Sequence, residues 1–204
     1  MSENTHLDNS FEIKRIEQES RYNIHAVNEY MKDYCKVYDG SFDTSWRMRE
    51  HCVKKYSFAI PDPEAIIRIS KYSPIVEIGA GSGYWAWLLK FAQADVAAYD
   101  DGSREWPKMW TDVQRGGPEK VNSDLRRTLF LCWPEYDTPM AYECLSKYRG
   151  KYFIYIGEGP GGCTGDDSFH EYLNKNFNEI DCYKITQWYG IHDRLFFYER
   201  KRWS

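Results

Sequence analysis

The sequence predicts an α/β fold: a three-layer α/β/α sandwich with a mostly parallel seven-stranded sheet, its last strand antiparallel, and an N-terminal helical extension. Three observations support this. Strand and helix signals alternate over residues 74–200. Residues 75–89 have the pattern of a buried strand, a glycine-rich turn and an amphipathic helix. The link at 189–193 is short enough for a hairpin, which permits an antiparallel strand at the edge of the sheet.

Length and composition indicate one globular domain with an extension. The chain has 204 residues, of which 42% are hydrophobic and 28% charged. Aromatic residues make up 17% of the chain. These rings either fill the core and surface or line a pocket for a flat or cationic ligand.

Charge, hydropathy and cysteine content limit the classes of binding partner and the cellular location that we expect. The net charge is −4 without a long basic run, which disfavours long nucleic acid but leaves a nucleotide or a short RNA end open. No apolar run is long enough to span a membrane, so we expect no membrane association and a cytoplasmic location. Six cysteines without a C-x-x-C pair predict free thiols and no metal site.

We predict an extension over residues 1–58 and a main domain over residues 59–204. Residues 1–10 are polar and predicted to be disordered, and apolar residues recur at helical spacing over 11–38. A turn at Asp39-Gly40 and a helix over 45–54 should follow. Asp62 is placed to cap a helix that starts at Pro63 and ends near Ser70.

The main domain continues with alternating elements. The predicted strands cover residues 74–79, 95–100, 110–114, 128–133, 152–157, 180–188 and 194–200. The predicted helices cover residues 83–92, 118–124, 139–148 and 167–177, with a short one near Trp106. This alternation predicts helices on both faces of the sheet.

The glycine turn carries the strongest functional signal. Glycines 79, 81 and 83 let the backbone turn sharply and approach a ligand closely. A dinucleotide fingerprint would place its third glycine where Tyr84 stands, so a nicotinamide dehydrogenase is a weaker alternative. The spacing Glu-x-Gly-x-Gly-x-Gly instead resembles the cofactor loop of class I S-adenosylmethionine-dependent methyltransferases.

The resemblance implies S-adenosylmethionine as the cofactor and a set of residues that would bind it. Asp100 ends the second strand, where an acid accepts hydrogen bonds from ribose hydroxyls; otherwise it is a loop aspartate. Glu77 would orient the methionine amino group or the glycine backbone, or act only as a partner of the helix N-terminus. The implied cofactor-binding residues are Glu77, Gly79, Ala80, Gly81, Gly83, Asp100, Gln114, Cys132 and Trp133.

The end of the fourth strand would face the reacting methyl group. Amino-methyltransferases acting on nucleic-acid bases carry Asp/Asn-Pro-Pro-Tyr/Phe there, whereas this chain has Trp-Pro-Glu-Tyr at 133–136. Trp133 replaces the group that would contact the amine, while Tyr136 keeps the stacking ring. Glu158, after the fifth strand, should lie beside Glu135, where the pair would accept a proton or bind an amine. Otherwise both are solvated loop acids.

The sequence therefore predicts a methyltransferase with Glu135, Tyr136 and Glu158 as candidate catalytic residues. A small molecule or an exposed nucleotide is the favoured acceptor, in a pocket shaped by Trp133, Tyr136 and either Tyr56 or Phe58. Two alternatives remain: a catalytically inactive module that binds a protein partner, and a base N-methyltransferase with the altered Trp-Pro-Glu-Tyr motif.

Overall fold

The computed structural model describes residues 18–21, 23–37 and 42–201. The predicted disorder of residues 1–10 and the Asp39-Gly40 turn lie outside these ranges. Residues 23–27 are helical, and helix α1 (Glu29–Val37) follows after an interruption at Asn28. In the described part of 11–38 the helical spacing is thus confirmed, with a break at Asn28 that the spacing did not predict. The side-chain Oδ1 of Asn28 accepts a hydrogen bond from the backbone N–H of Met31 (3.2 Å) and so caps a new helix start.

Two further helices precede the sheet. Helix α2 (Phe42–Lys55) begins three residues before the predicted 45–54. Helix α3 (Pro63–Ser70) matches its prediction: the Asp62 side chain accepts a hydrogen bond from the backbone N–H of Ala65 (2.8 Å). In the part of the chain that is described, no helix has both the length and the apolar character to cross a membrane.

The described strands form one seven-stranded sheet in the order β3-β2-β1-β4-β5-β7-β6. Their bounds are β1 Ile75–Ile78, β2 Val96–Asp100, β3 Gln114–Arg115, β4 Thr128–Cys132, β5 Tyr152–Gly157, β6 Phe177–Tyr183 and β7 Arg194–Arg200. The first five strands pair in parallel, and β7 is antiparallel to both of its neighbours. The last strand is thus reversed as predicted, but it lies between β5 and β6, and β6 forms the edge.

Helices cover both faces of the sheet, as the alternation predicts. Helices α4 (Tyr84–Phe91), α5 (Met140–Lys147) and α6 (Asp167–Asn176) connect the strands. Successive strand residues enter different core clusters: Ile75 packs with α3 and α4, whereas Val76 packs with α5 and α6. The strands β1, β4 and β5 are therefore buried on both sides.

Several predicted elements between β2 and β4 are wrong. The short helix near Trp106 is absent, the strand over 110–114 is reduced to β3, and the helix over 118–124 is a single 3₁₀ turn, Pro118–Lys120. Tertiary hydrogen bonds explain part of this. The backbone N–H of Trp110 donates to the Ser82 carbonyl (2.9 Å), and its indole N–H donates to the Lys55 carbonyl (3.0 Å). Trp110 is thereby tied to the glycine turn and to α2 instead of to a strand.

The edge strand β6 is also displaced from its predicted position over 180–188. It begins at Phe177, opposite Arg200, and ends at Tyr183, opposite Leu195. Pairing with β7 sets these limits, because residues beyond Tyr183 have no partner in the ladder.

The extension shares a core with the sheet. The ring of Tyr30 in α1 stacks on Tyr56 with centroids 5.1 Å apart, and both side chains are fully buried. The indole N–H of Trp188 donates to the Tyr30 hydroxyl (2.9 Å), and the backbone N–H of Tyr30 donates to the Tyr84 hydroxyl (3.1 Å). These bonds join α1 to α4 and to the segment before β7.

Removing the Tyr30 hydroxyl tests this connection. We expect Tyr30→Phe to lower the free energy of unfolding by about 1–3 kcal/mol, because it leaves the buried Trp188 N–H without an acceptor. Urea denaturation measures the change. Tyr142→Phe is the matched control, since that side chain is 38% exposed and should cost little. Equal stability of Tyr30→Phe and the unmodified chain would contradict the structural role.

Candidate functional site

A cavity opens at the carboxyl ends of β1, β2 and β4 and encloses about 1040 Å³, including the space at its open mouth. This is where open parallel sheets bind their ligands. Four chain segments supply most of its wall: residues 77–82, 100–106, 116–118 and 132–135. Tyr56 and Phe58, between α2 and α3, add aromatic surface.

The glycine turn and Asp100 form one hydrogen-bonded unit. One Asp100 carboxylate oxygen accepts the backbone N–H of Gly81 (2.8 Å), and the other accepts that of Gly102 (2.9 Å). Gly79 and Gly81 have positive φ values of 74° and 55°, which glycine adopts without strain. The ends of β1 and β2 are thus held together at the cavity wall.

Glu77 lies below this turn as a buried acid. Its side chain lines the cavity, and its Oε2 atom has no hydrogen-bond partner among the described residues. Burial, followed by the nearby charge of Asp100, raises the pKa of Glu77 to about 8. The side chain therefore holds its proton at neutral pH unless a cation approaches it.

The predicted cofactor residues are mostly brought together. Those that line the cavity are Glu77, Gly79, Ala80, Gly81, Asp100, Cys132 and Trp133. Gly83, the N-cap residue before α4, lies outside this wall and packs against Val113, to which an added Cβ would come within 2.7 Å. Gln114 lines a neighbouring smaller cavity, whereas the adjacent Gly116, Gly117 and Pro118 line the main one.

Trp133, at the end of β4, is fixed on two sides. Its backbone has a φ of 57°, which is unusual for a residue with a side chain. Both carboxylate oxygens of Asp193 accept its indole N–H (2.9 and 3.0 Å), and Phe58 stacks on its ring with centroids 4.8 Å apart. Burial raises the pKa of Asp193 to about 7, although the Trp133 hydrogen bond opposes this. Trp133 is thus a rigid wall of the cavity.

The three candidate catalytic residues have different surroundings. Glu135 lines the cavity and is exposed to solvent. Tyr136 is 45% exposed and is not part of the cavity wall. Glu158 is also outside the wall: it accepts the backbone N–H groups of Cys163 (2.9 Å) and His192 (2.7 Å). Burial opposes ionisation of Glu158, but the bonds from Cys163 and His192 hold its pKa below the usual value.

The cavity wall also contains residues that the sequence pattern did not indicate. Arg104, Trp106 and Met140 line the cavity, and Asp193 fixes Trp133 from behind. Met140 follows the fourth strand at the start of the next predicted helix, so its position was a usable signal. Arg104 and Trp106 lie in an irregular segment whose pattern gives no such signal.

Comparison with known proteins gives a likeness in structure. No protein-family model and no curated protein matches the sequence. Among solved structures, the N-methyltransferase NodS from Bradyrhizobium japonicum WM9, in complex with S-adenosylhomocysteine, superposes with a TM-score of 0.50 at 14% identity. The match covers 86% of this chain and all of NodS. The chain has the class I methyltransferase fold.

A second solved structure is the 1,6-didemethyltoxoflavin-N1-methyltransferase of Burkholderia thailandensis, with bound 1,6-didemethyltoxoflavin and S-adenosylhomocysteine. It superposes with a TM-score of 0.44 at 14% identity, over 87% of this chain and 89% of that one. In this chain the sheet order and the place of the cavity, at the carboxyl ends of the parallel strands, are those of an open α/β sheet that binds a ligand.

The raised pKa of Glu77 predicts a pH-dependent stability. The folded chain retains a proton that an unfolded glutamate loses near pH 4.5, so this contribution to stability is present below pH 4.5 and is lost as pH rises to about 8. The glutamine in Glu77→Gln cannot ionise. We therefore expect the melting temperature of this variant to rise relative to that of the unmodified chain between pH 5 and pH 8. Glu143→Gln, at an exposed ion pair with Lys147, should show no such trend. A constant difference for Glu77→Gln would contradict a buried neutral acid.

Proposed function

We propose that this chain is an S-adenosylmethionine-dependent methyltransferase that acts on a small molecule or an exposed nucleotide. The observation that carries the proposal is one cavity wall holding the Asp100-bound glycine turn and the partnerless Oε2 of buried Glu77. The fold shared with NodS, which was solved with S-adenosylhomocysteine, supports the choice of cofactor.

The residues present fit this methyl donor. Glu77 Oε2 has no partner among the described residues, and the ammonium group of a methionine moiety would supply a donor as the carboxyl group releases its proton. Asp100 keeps lone pairs for ribose hydroxyls beside its two backbone bonds. Gly116, Gly117 and Met140 line the same cavity and would face a flat adenine. When bound, S-adenosylmethionine supplies an electrophilic sulfonium methyl group.

The chain's own contribution to transfer is positioning and desolvation. Trp133 and Phe58 form a rigid wall that would hold an acceptor in line with the methyl group, and such alignment provides most of the catalysis when the electrophile is already activated. Glu135, on the same wall, is placed to take a proton from an acceptor hydroxyl or amine. We assign Glu158 to holding the loop after β5, because its oxygens bond to Cys163 and His192.

The alternatives draw less support from the geometry. Base N-methylation would use Tyr136 as a stacking ring, but that side chain lies outside the cavity wall. A nicotinamide dehydrogenase would bind NAD in place of S-adenosylhomocysteine. A catalytically inactive module would bind the methyl donor without transferring the methyl group.

Calorimetry separates these possibilities. We expect S-adenosylhomocysteine to bind and NAD not to bind. At pH 7 binding should release a proton, because an ammonium beside Glu77 favours its ionised form. The binding enthalpy should therefore depend on the ionisation enthalpy of the buffer, and Glu77→Gln should remove that dependence. Binding of NAD alone would refute the proposal. A labelled methyl donor incubated with a small-molecule extract then tests transfer, and binding without transfer would favour the inactive module.

Asp100 tests the placement of the cofactor. We expect Asp100→Ala to weaken binding of S-adenosylhomocysteine by about 1–3 kcal/mol, or about 5- to 150-fold, because ribose and glycine-turn hydrogen bonds are both lost. Asp95→Ala, at the other end of the same strand segment and 63% exposed, is the matched control. Unchanged affinity in Asp100→Ala would contradict this site.

A further inference from the structure

The connection between β2 and β3, residues 101–113, is an irregular strap that returns across the glycine turn. It is tied there by the Trp110 N–H bond to Ser82 and by the side-chain bond from Lys90 to Thr111 (3.0 Å). Two of its side chains, Arg104 and Trp106, line the cavity. The strap therefore places specific groups over the ligand space.

The Arg104 guanidinium is held by ring faces. Its Cζ lies 5.1 Å from the centroid of Phe58 and 4.9 Å from that of Trp106. No acceptor for a hydrogen bond from Arg104 occurs in the described part of the chain. A guanidinium whose contacts are with ring faces keeps its N–H edge for a planar anion, in a position fixed beforehand.

Trp106 contributes a second unused donor. Its indole Nε1 is buried and has no partner among the described residues. A buried donor without an acceptor is unfavourable, and a ligand oxygen would relieve that cost. The same indole packs on the glycine turn, since a Cβ built on Gly81 would lie 2.7 Å from its Cζ2 atom.

The charges around the cavity leave one place for an anion. Besides the buried Glu77, which burial keeps protonated, the acidic side chains on its wall are Asp100, Asp101 and Glu135. Arg104 is the one basic side chain that the described residues contribute to this wall. A negative group on a bound molecule would be repelled elsewhere and attracted here.

We propose that Arg104 and Trp106 form an anion-binding site for a carboxylate or phosphate group of a molecule held in the cavity. Which molecule carries that group rests on the proposed function. Under that function there are two sources: the amino-acid carboxylate of the methyl donor, or an acidic acceptor. The strap would thus set either the grip on the donor or the specificity for the acceptor.

Four probes and two variants test the site. The probes are S-adenosylhomocysteine, 5′-methylthioadenosine (which lacks the amino-acid part), benzoate and phenyl phosphate, the last two measured with and without S-adenosylhomocysteine. Arg104→Gln removes the charge, and Trp106→Phe removes the indole N–H but keeps a ring. Arg126→Gln, at an exposed pair with Asp124, and Trp46→Phe, at a side chain that is 46% exposed and outside the cavity wall, are matched controls. We expect Arg104→Gln to lower the affinity for an anionic probe by about tenfold or more. Trp106→Phe should lower the same affinity by less.

The pattern of losses decides the outcome. If Arg104→Gln weakens the binding of S-adenosylhomocysteine but not that of 5′-methylthioadenosine, the site is supported and belongs to the methyl donor. If the affinity for S-adenosylhomocysteine is unchanged while binding of benzoate or phenyl phosphate is lost, the site is supported and belongs to the acceptor. Unaltered affinity for all four probes, or an equal loss for both nucleosides, overturns it. If the unmodified chain binds neither nucleoside, the proposed function fails, while benzoate and phenyl phosphate still decide the anion site.

Discussion

The carboxylate of Asp100 joins the two strand ends on which the rest of the site depends. Its oxygens accept one N–H from the turn after β1 and one from the strap after β2, at Gly81 and Gly102. Parallel strands leave their carboxyl ends at one edge, and one backbone bond, from the Ala80 N–H to the Tyr99 carbonyl (3.0 Å), extends the pairing into the turn. The Asp100 side chain adds bonds to both the turn and the strap, so the two segments share one reference point beside the cavity.

The sequence predicted the parts of the fold that local pattern determines. The turn after β1 needs glycine at positive φ, and the hydrophobic run before it is typical of a buried strand, so their spacing predicted both the strand and the turn that lines the cavity. Asp62 and Pro63 marked a helix start by capping chemistry alone. Asp100 followed from its place at the end of β2, which parallel topology brings to the same edge.

The rest is set by contacts distant in sequence. Trp133 is oriented by Asp193, sixty positions away, and by Phe58, neither of which marks its own role in the sequence. The strap lacks hydrophobic periodicity, so the helix predicted near Trp106 rested only on the length of the segment. The observed path is set by hydrogen bonds from Trp110 to the Ser82 and Lys55 carbonyls. Glu158 follows a strand, which is why the sequence predicted it at the edge of the cavity. In the structure both of its carboxylate oxygens accept backbone N–H groups, from Cys163 and His192.

A crystal structure with S-adenosylhomocysteine bound is the most direct test of the central claim that the carboxyl edge of this sheet is a methyl-donor site. We expect the ribose hydroxyls at Asp100, the amino group at Glu77 and the adenine between Met140 and the turn at 116–118. Binding of the nucleoside at another surface, or a cavity that stays empty at saturating ligand, would contradict the account.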